Sequence, residues 1–127
     1  MRFVRVALLG SVLVIAGARF GLAADDSLAE FDDFTLRSFT ILKCHPSQDA
    51  ADRAHLARED AVRRSALQKY WAQLDALNPA HHAENGKAAE ETLARRTAAH
   101  DRFIQSQVIE YGCDWLDGKV FPPAPKP

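Results

Sequence analysis

Residues 48–77 read QDAADRAHLAREDAVRRSALQKYWAQLDAL, an unbroken run with neither glycine nor proline. Alanine, the best helix former, recurs at positions 50, 51, 54, 57, 61, 66, 72 and 76. Glu59 with Arg63 and Asp60 with Arg64 are acid-first pairs four residues apart, the orientation that supports a helix. The run predicts one continuous helix over 48–77. Ser47 is placed to cap it, Asp49 and Asp52 stand near the positive end of its dipole, and Asn78-Pro79 stops it.

Working upstream, Ser27-Leu28-Ala29-Glu30 has the spacing of a capping box. Leu28, Phe31, Thr35, Phe39 and Leu42 then fall on one helical stripe, while Phe34, Leu36 and Ile41 lie off it. This predicts a first helix over 28–43, apolar around much of its circumference and in need of cover on two sides. His45-Pro46 ends it. Working downstream, Ala80–Gly86 reads as a connection with an Asn85-Gly86 turn. A third helix follows over 87–111, with Leu93, Thr97, His100, Ile104, Val108 and Tyr111 on its stripe. Gly112 stands where a left-handed cap is wanted. Beyond it Asp117-Gly118 reads as a turn, and the proline-rich residues 120–127 as an extended tail. The fold expected is all-α, a three-helix up-down-up bundle.

The two cysteines test that topology. Cys44 closes the first helix and Cys113 closes the third. In an up-down-up bundle those ends share a pole, so the thiols can meet and form a disulfide. A disulfide needs an oxidising compartment, and the N-terminus supplies the route. Arg2 and Arg5 precede an uncharged stretch from Val6 to Ala18, and small residues lead to Asp25-Asp26. These are the parts of a secretory signal peptide, residues 1–24, cleaved after Ala23 or Ala24. The apolar stretch is shorter than the ~20 residues needed to span a bilayer. The domain organisation expected is therefore a signal peptide (1–24), a helical domain (25–119) and a tail (120–127), in a periplasmic or secreted protein that meets a membrane only in transit.

Composition excludes several functions. The 127 residues carry 16 Lys+Arg against 17 Asp+Glu. Loss of residues 1–24 removes three arginines and no acid, leaving 13 bases against 17 acids. A mildly acidic surface has no counterion-release drive toward nucleic acid. No nucleophile elbow, glycine-rich phosphate loop or His-Glu-x-x-His helix occurs. No cofactor, catalytic residue or dedicated metal site is therefore expected, and the chain does not read as an enzyme.

Two features remain. At about 1.5 Å per residue the first helix is roughly 24 Å long and the second about 45 Å, so the far half of the second outruns its cover. That half holds Val62, Leu67, Tyr70, Trp71, Leu74 and Leu77 and faces a stretch of the third helix whose only large apolar residue is Leu93. Either the second helix bends, or residues 80–86 cover the patch, or these seven residues form a surface for a partner: another envelope protein or a second copy. The second feature is His81-His82 with Glu84, imidazoles and a carboxylate close enough in sequence to suggest a metal. Three functional readings follow: an exported module acting by protein contact, binding or inhibitory, within the cell envelope; a periplasmic metal- or stress-responsive binding protein using His81, His82 and Glu84; and an enzyme of unknown class.

Overall fold

The computed structural model describes residues 22–120, with side chains from Leu28 onward. Most of the proposed signal peptide (1–21) and the tail beyond Val120 lie outside the described residues. Every element is helical: α1 (Leu22–Cys44), α2 (Ala50–Ala57), α3 (Glu59–Leu77), a single 3-10 turn (Pro79–His81), α4 (His82–Tyr111) and α5 (Cys113–Val120). No strand occurs among the described residues, and no helix there is long and apolar enough to cross a membrane. The long helices α1, α3 and α4 each pack on the other two.

α1 begins six residues before the expected start. Leu22-Ala23-Ala24 are good helix formers and Asp25-Asp26 suit the positive end of a helix dipole, so nothing in the sequence interrupts the helix ahead of Ser27. Ser27 is accordingly an interior residue, not a cap. Thr35, Ser38 and Thr40 are buried on α1 yet satisfied, each hydroxyl donating to the carbonyl four residues back.

The helix expected over 48–77 is two helices. Asp49, not Ser47, caps α2: its carboxylate accepts the Asp52 N–H at 2.8 Å while the Asp52 carboxylate reaches back to the Asp49 N–H at 3.4 Å. The break falls at Arg58 (φ −86°, ψ −4°), whose N–H turns back to the His55 carbonyl at 3.1 Å. No glycine or proline causes it. α2 is anchored to α1 by His55, stacked on Phe34 with ring centroids 4.1 Å apart, whereas α3 is anchored by Ala66 in the central core. One exposed residue between those anchors absorbs the change of direction.

α4 also begins five residues before the expected start. Asn85 is buried inside it and donates to the Asp75 carboxylate at 3.0 Å and the Asn78 carbonyl at 2.9 Å, so the side chain read as a turn former ties α4 to the end of α3. Gly112 does adopt positive φ (+88°), but with extended ψ (164°). The chain is thereby redirected into α5, a helix where a turn at Asp117-Gly118 was expected.

The core is built from Leu28, Phe31, Ala66 and Leu93, with Val62, Leu67 and Tyr70 packed against it; toward the other pole Ile41, Ile104 and Leu116 are fully buried. Each fully buried Leu, Ile or Phe among these stabilises the fold by roughly 1.5–3 kcal/mol. The Cys44–Cys113 disulfide joins the end of α1 to the start of α5, with the Cα atoms 5.5 Å apart at a sequence separation of 69. Replacing both cysteines by serine is expected to destabilise the domain by about 2–5 kcal/mol. Urea unfolding of the variant beside the wild type measures it, and an unchanged midpoint would refute it.

Candidate functional site

The face proposed from sequence is largely consumed by the fold. Leu93 is fully buried and belongs to the core, so it offers nothing to a partner. Val62, Leu67, Tyr70 and Leu74 are half-buried, and only Leu77 stands out, at 84% exposure. Trp71 is held in place: its indole N–H donates to the His82 carbonyl at 2.9 Å and its ring stacks on the His82 imidazole at 4.7 Å. Gly86 lets the next turn of α4 approach this ring. A Cβ there would lie 2.6 Å from Trp71 Cε2, 2.8 Å from Cη2 and closer still to Cζ2. The first turns of α4 therefore supply the cover that the over-long second helix needed. Because the ring is pinned by hydrogen bond and stack, Gly86→Ala is expected to cost about 1–2 kcal/mol net, steric overlap outweighing the gain in helix propensity. A thermal melt of that variant at or above the wild-type midpoint would overturn this account.

His81, His82 and Glu84 do not converge. His82 Nδ1 lies 2.7 Å from the Asp75 carboxylate, whereas His81 Nδ1 is 3.8 Å from Glu84. The hydrogen bond from Asn85, then the His82 contact, holds the Asp75 carboxyl below its ordinary range. Among the described residues no three His, Cys, Asp or Glu side chains are grouped so as to hold a metal ion.

Three titratable clusters join helices elsewhere. Asp32 on α1 accepts two hydrogen bonds from the Arg96 guanidinium of α4, one at 3.0 Å from Nε, and a third from His100 Nε2 at 2.8 Å. Burial pushes its carboxyl up, but these donors outweigh burial and hold it below the usual range. His100, placed on the apolar stripe by its spacing, is thus a half-buried partner of a half-buried acid.

Ser38 and His55 are 3.0 Å apart, a distance that invites a nucleophile–base reading. The hydrogen bonds argue otherwise. The Ser38 hydroxyl donates to the Phe34 carbonyl at 2.9 Å, and His55 Nε2 lies 3.2 Å from that same carbonyl. With the Ser38 proton already directed to that carbonyl, the arrangement fits an Nε2–H shared between the carbonyl and the Ser38 oxygen, and it offers the hydroxyl no base. Burial, with further repulsion from Arg37 and Arg58, pushes the His55 pKa down despite the carbonyl.

Beside the disulfide, His45 bridges two carboxylates from different helices: Nδ1 is 3.1 Å from Asp52 on α2 and Nε2 is 2.9 Å from Asp117 on α5. Both ring nitrogens can donate only in the imidazolium form. Partial burial works against that charge, but the Asp117 and Asp52 contacts prevail and the pKa is raised above 6.5.

The same end of the molecule carries an aromatic pair, Tyr111 from the stripe of the expected third helix and Trp115 from the stretch beyond it. Tyr111 and Trp115 have ring centroids 4.5 Å apart, and the Lys119 ammonium lies 5.4 Å from the Trp115 centroid. Tyr111 is 52% and Trp115 41% exposed. The signal was available as Tyr111, Trp115 and Lys119 at intervals of four. It was hidden because Gly112 breaks the helical register between the first two.

Compared with known proteins, the chain matches no protein family, no curated protein and no solved structure.

The His45 bridge carries a pH signature. Because its folded pKa is raised, its stabilisation is fully present below about pH 6.5 and is lost as pH rises through the folded value. The stability difference between wild type and His45→Gln is expected to be about 1 kcal/mol at the acidic end and to shrink toward alkaline pH. Chemical unfolding at a series of pH values measures it, and a constant difference would exclude the imidazolium bridge.

Proposed function

We propose that this chain is an exported, up-down-up helical domain that acts by contact, binding another protein of the cell envelope through the surface around Tyr111, Trp115 and Lys119. The observation carrying this reading is the half-exposed pair of tilted aromatic rings on an end fastened by the disulfide. Tyrosine and tryptophan present large, rigid, amphipathic area at low entropic cost, and they dominate the energetics of protein interfaces. Here they stand on helix ends already fixed by a covalent bond, so little ordering is left to oppose binding. The Lys119 ammonium over the Trp115 ring adds a positive charge that favours a partner with an acidic rim.

The position of the surface differs from the one expected at Trp71, because α4 covers that residue, whereas Trp115 is 41% exposed. Export is supported by the arginine-led apolar N-terminus together with the disulfide, which persists in oxidising compartments. The metal-responsive reading loses support where His81 and His82 engage different carboxylates.

Photo-crosslinking side chains placed at position 118, where a Cβ meets open space beside an intact Trp115, and at position 77 as a control on the opposite pole, test the proposal in the exporting cell. A single protein adduct from position 118, absent from position 77 and competed away by unlabelled wild type but not by Trp115→Ala, is expected. Export without any adduct at 118, or the same adduct from both positions, would sink it. The Trp115→Ala domain should remain within about 1 kcal/mol of wild-type stability, since the side chain is substantially exposed.

A further inference from the structure

The break at Arg58 leaves a partly enclosed cavity of 130 Å³ between α1, the α2–α3 junction and α4. Its walls are aromatic and aliphatic, supplied by Phe31, Phe34, Phe39, Leu42 and Leu56. An engineered apolar cavity of about 150 Å³ takes up benzene, so this one is of the size of a single aromatic ring.

Its polar atoms narrow the choice of ligand. Thr35 and Thr97 line it from α1 and α4, and both hydroxyl protons are spent within their own helices: Thr35 on the Phe31 carbonyl at 3.1 Å and Thr97 on the Leu93 carbonyl at 2.9 Å. Ser38 likewise donates to the Phe34 carbonyl and also receives the His55 N–H. What remains for an occupant is the acceptor lone pairs of Thr35 and Thr97, with the Glu59 carboxylate as a further acceptor at the mouth. Arg63, also at the mouth, lies 3.9 Å from Glu90, too far for a hydrogen bond.

We infer that this cavity is a binding site for a small aromatic molecule bearing one O–H or N–H donor, of the phenol or indole class. The ring fills the space between the α1 phenyl groups and Leu56, and the donor meets a threonine oxygen. A plain hydrocarbon would fill the same space but leave that oxygen unused. An aromatic carboxylate has no donor for that oxygen, and Glu59 and Arg63 at the mouth offset one another in charge, so it gains nothing over phenol there. The inference does not rest on the protein-contact reading: the cavity belongs to the α2–α3 junction, and neither Tyr111 nor Trp115 lines it.

Ligand-observed NMR and calorimetry with phenol, indole, toluene and benzoate on the intact disulfide-bonded protein test it. Phenol and indole are expected to bind one to one with dissociation constants of about 1 mM or tighter. Toluene should bind about threefold to tenfold more weakly, the worth of one hydrogen bond, and benzoate more weakly than phenol. The isosteric double variant Thr35→Val with Thr97→Val should erase the preference for phenol over toluene while toluene still binds. Leu56→Trp, which fills the space, should abolish uptake of all four; if circular dichroism finds that variant unfolded, the double variant decides alone. No saturable binding of phenol or indole, or a phenol preference that survives loss of both threonine oxygens, would overturn the site.

Discussion

The bond between Cys44 and Cys113 ties the end of α1 to the point where the chain leaves α4, and much of this pole follows from it. To deliver Cys113 to that place the chain must turn sharply after Tyr111, and the positive φ of Gly112 supplies the turn at little cost. α5 then starts at the half-cystine itself, which returns Leu116 to the core and leaves Trp115 on the outside against Tyr111. His45, the residue after Cys44, is carried between Asp52 and Asp117 by the same constraint. A closure of this length is worth several kcal/mol against a total stability of about 5–15 kcal/mol for a domain. Covalent and ionic links therefore cooperate at one end, where the buried apolar side chains are few.

The opposite end solves a different problem with no covalent help. A thirty-residue helical run beside a shorter α1 would leave aromatic and leucine side chains in water, at a cost the domain could not carry. The chain meets this twice. It breaks the run at Arg58, so that α2 follows α1 through His55 while α3 follows the core through Ala66. It also starts α4 at once after a single 3-10 turn, so that His82 and Gly86 close over Trp71. The first device leaves a small cavity at the junction, since α2 and α3 meet α1 along different directions.

Helical class, the pairing of the two cysteines and the stop at Asn78-Pro79 were legible in the sequence because each rests on local chemistry: the absence of helix breakers, the phase of apolar residues, and a proline. The break at Arg58 was not, because it is imposed by anchors on another helix and Arg58 itself is an ordinary helix former. Asn85-Gly86 misled for a related reason. Both residues favour turns in isolation, yet here the asparagine amide is consumed by Asp75 and Asn78 and the glycine by the Trp71 ring. Of the seven-residue face, Leu93 packs into the core, Val62, Leu67 and Tyr70 pack against it, the start of α4 covers Trp71, and Leu77 alone stands largely in water. The Tyr111–Trp115 stack escaped because periodicity ends at a glycine, while the geometry on either side of it does not.

Histidine links helices at four places where a lysine or arginine would give a permanent charge. His45 joins α1, α2 and α5; His55 joins α1 to α2; His82 joins α3 to α4; and His100 joins α1 to α4. Two of these pull in opposite directions. Folding favours the charged form of His45, between two carboxylates, and the neutral form of His55, half-buried against a phenyl ring. As pH falls through the imidazole range His45 adds stability while His55 removes it; as pH rises the signs exchange. Both act on α2, whose few contacts make it the helix most easily detached from the rest. The opposition limits how far proton uptake can loosen or tighten α2 and keeps the junction beside Leu56 in place across that range.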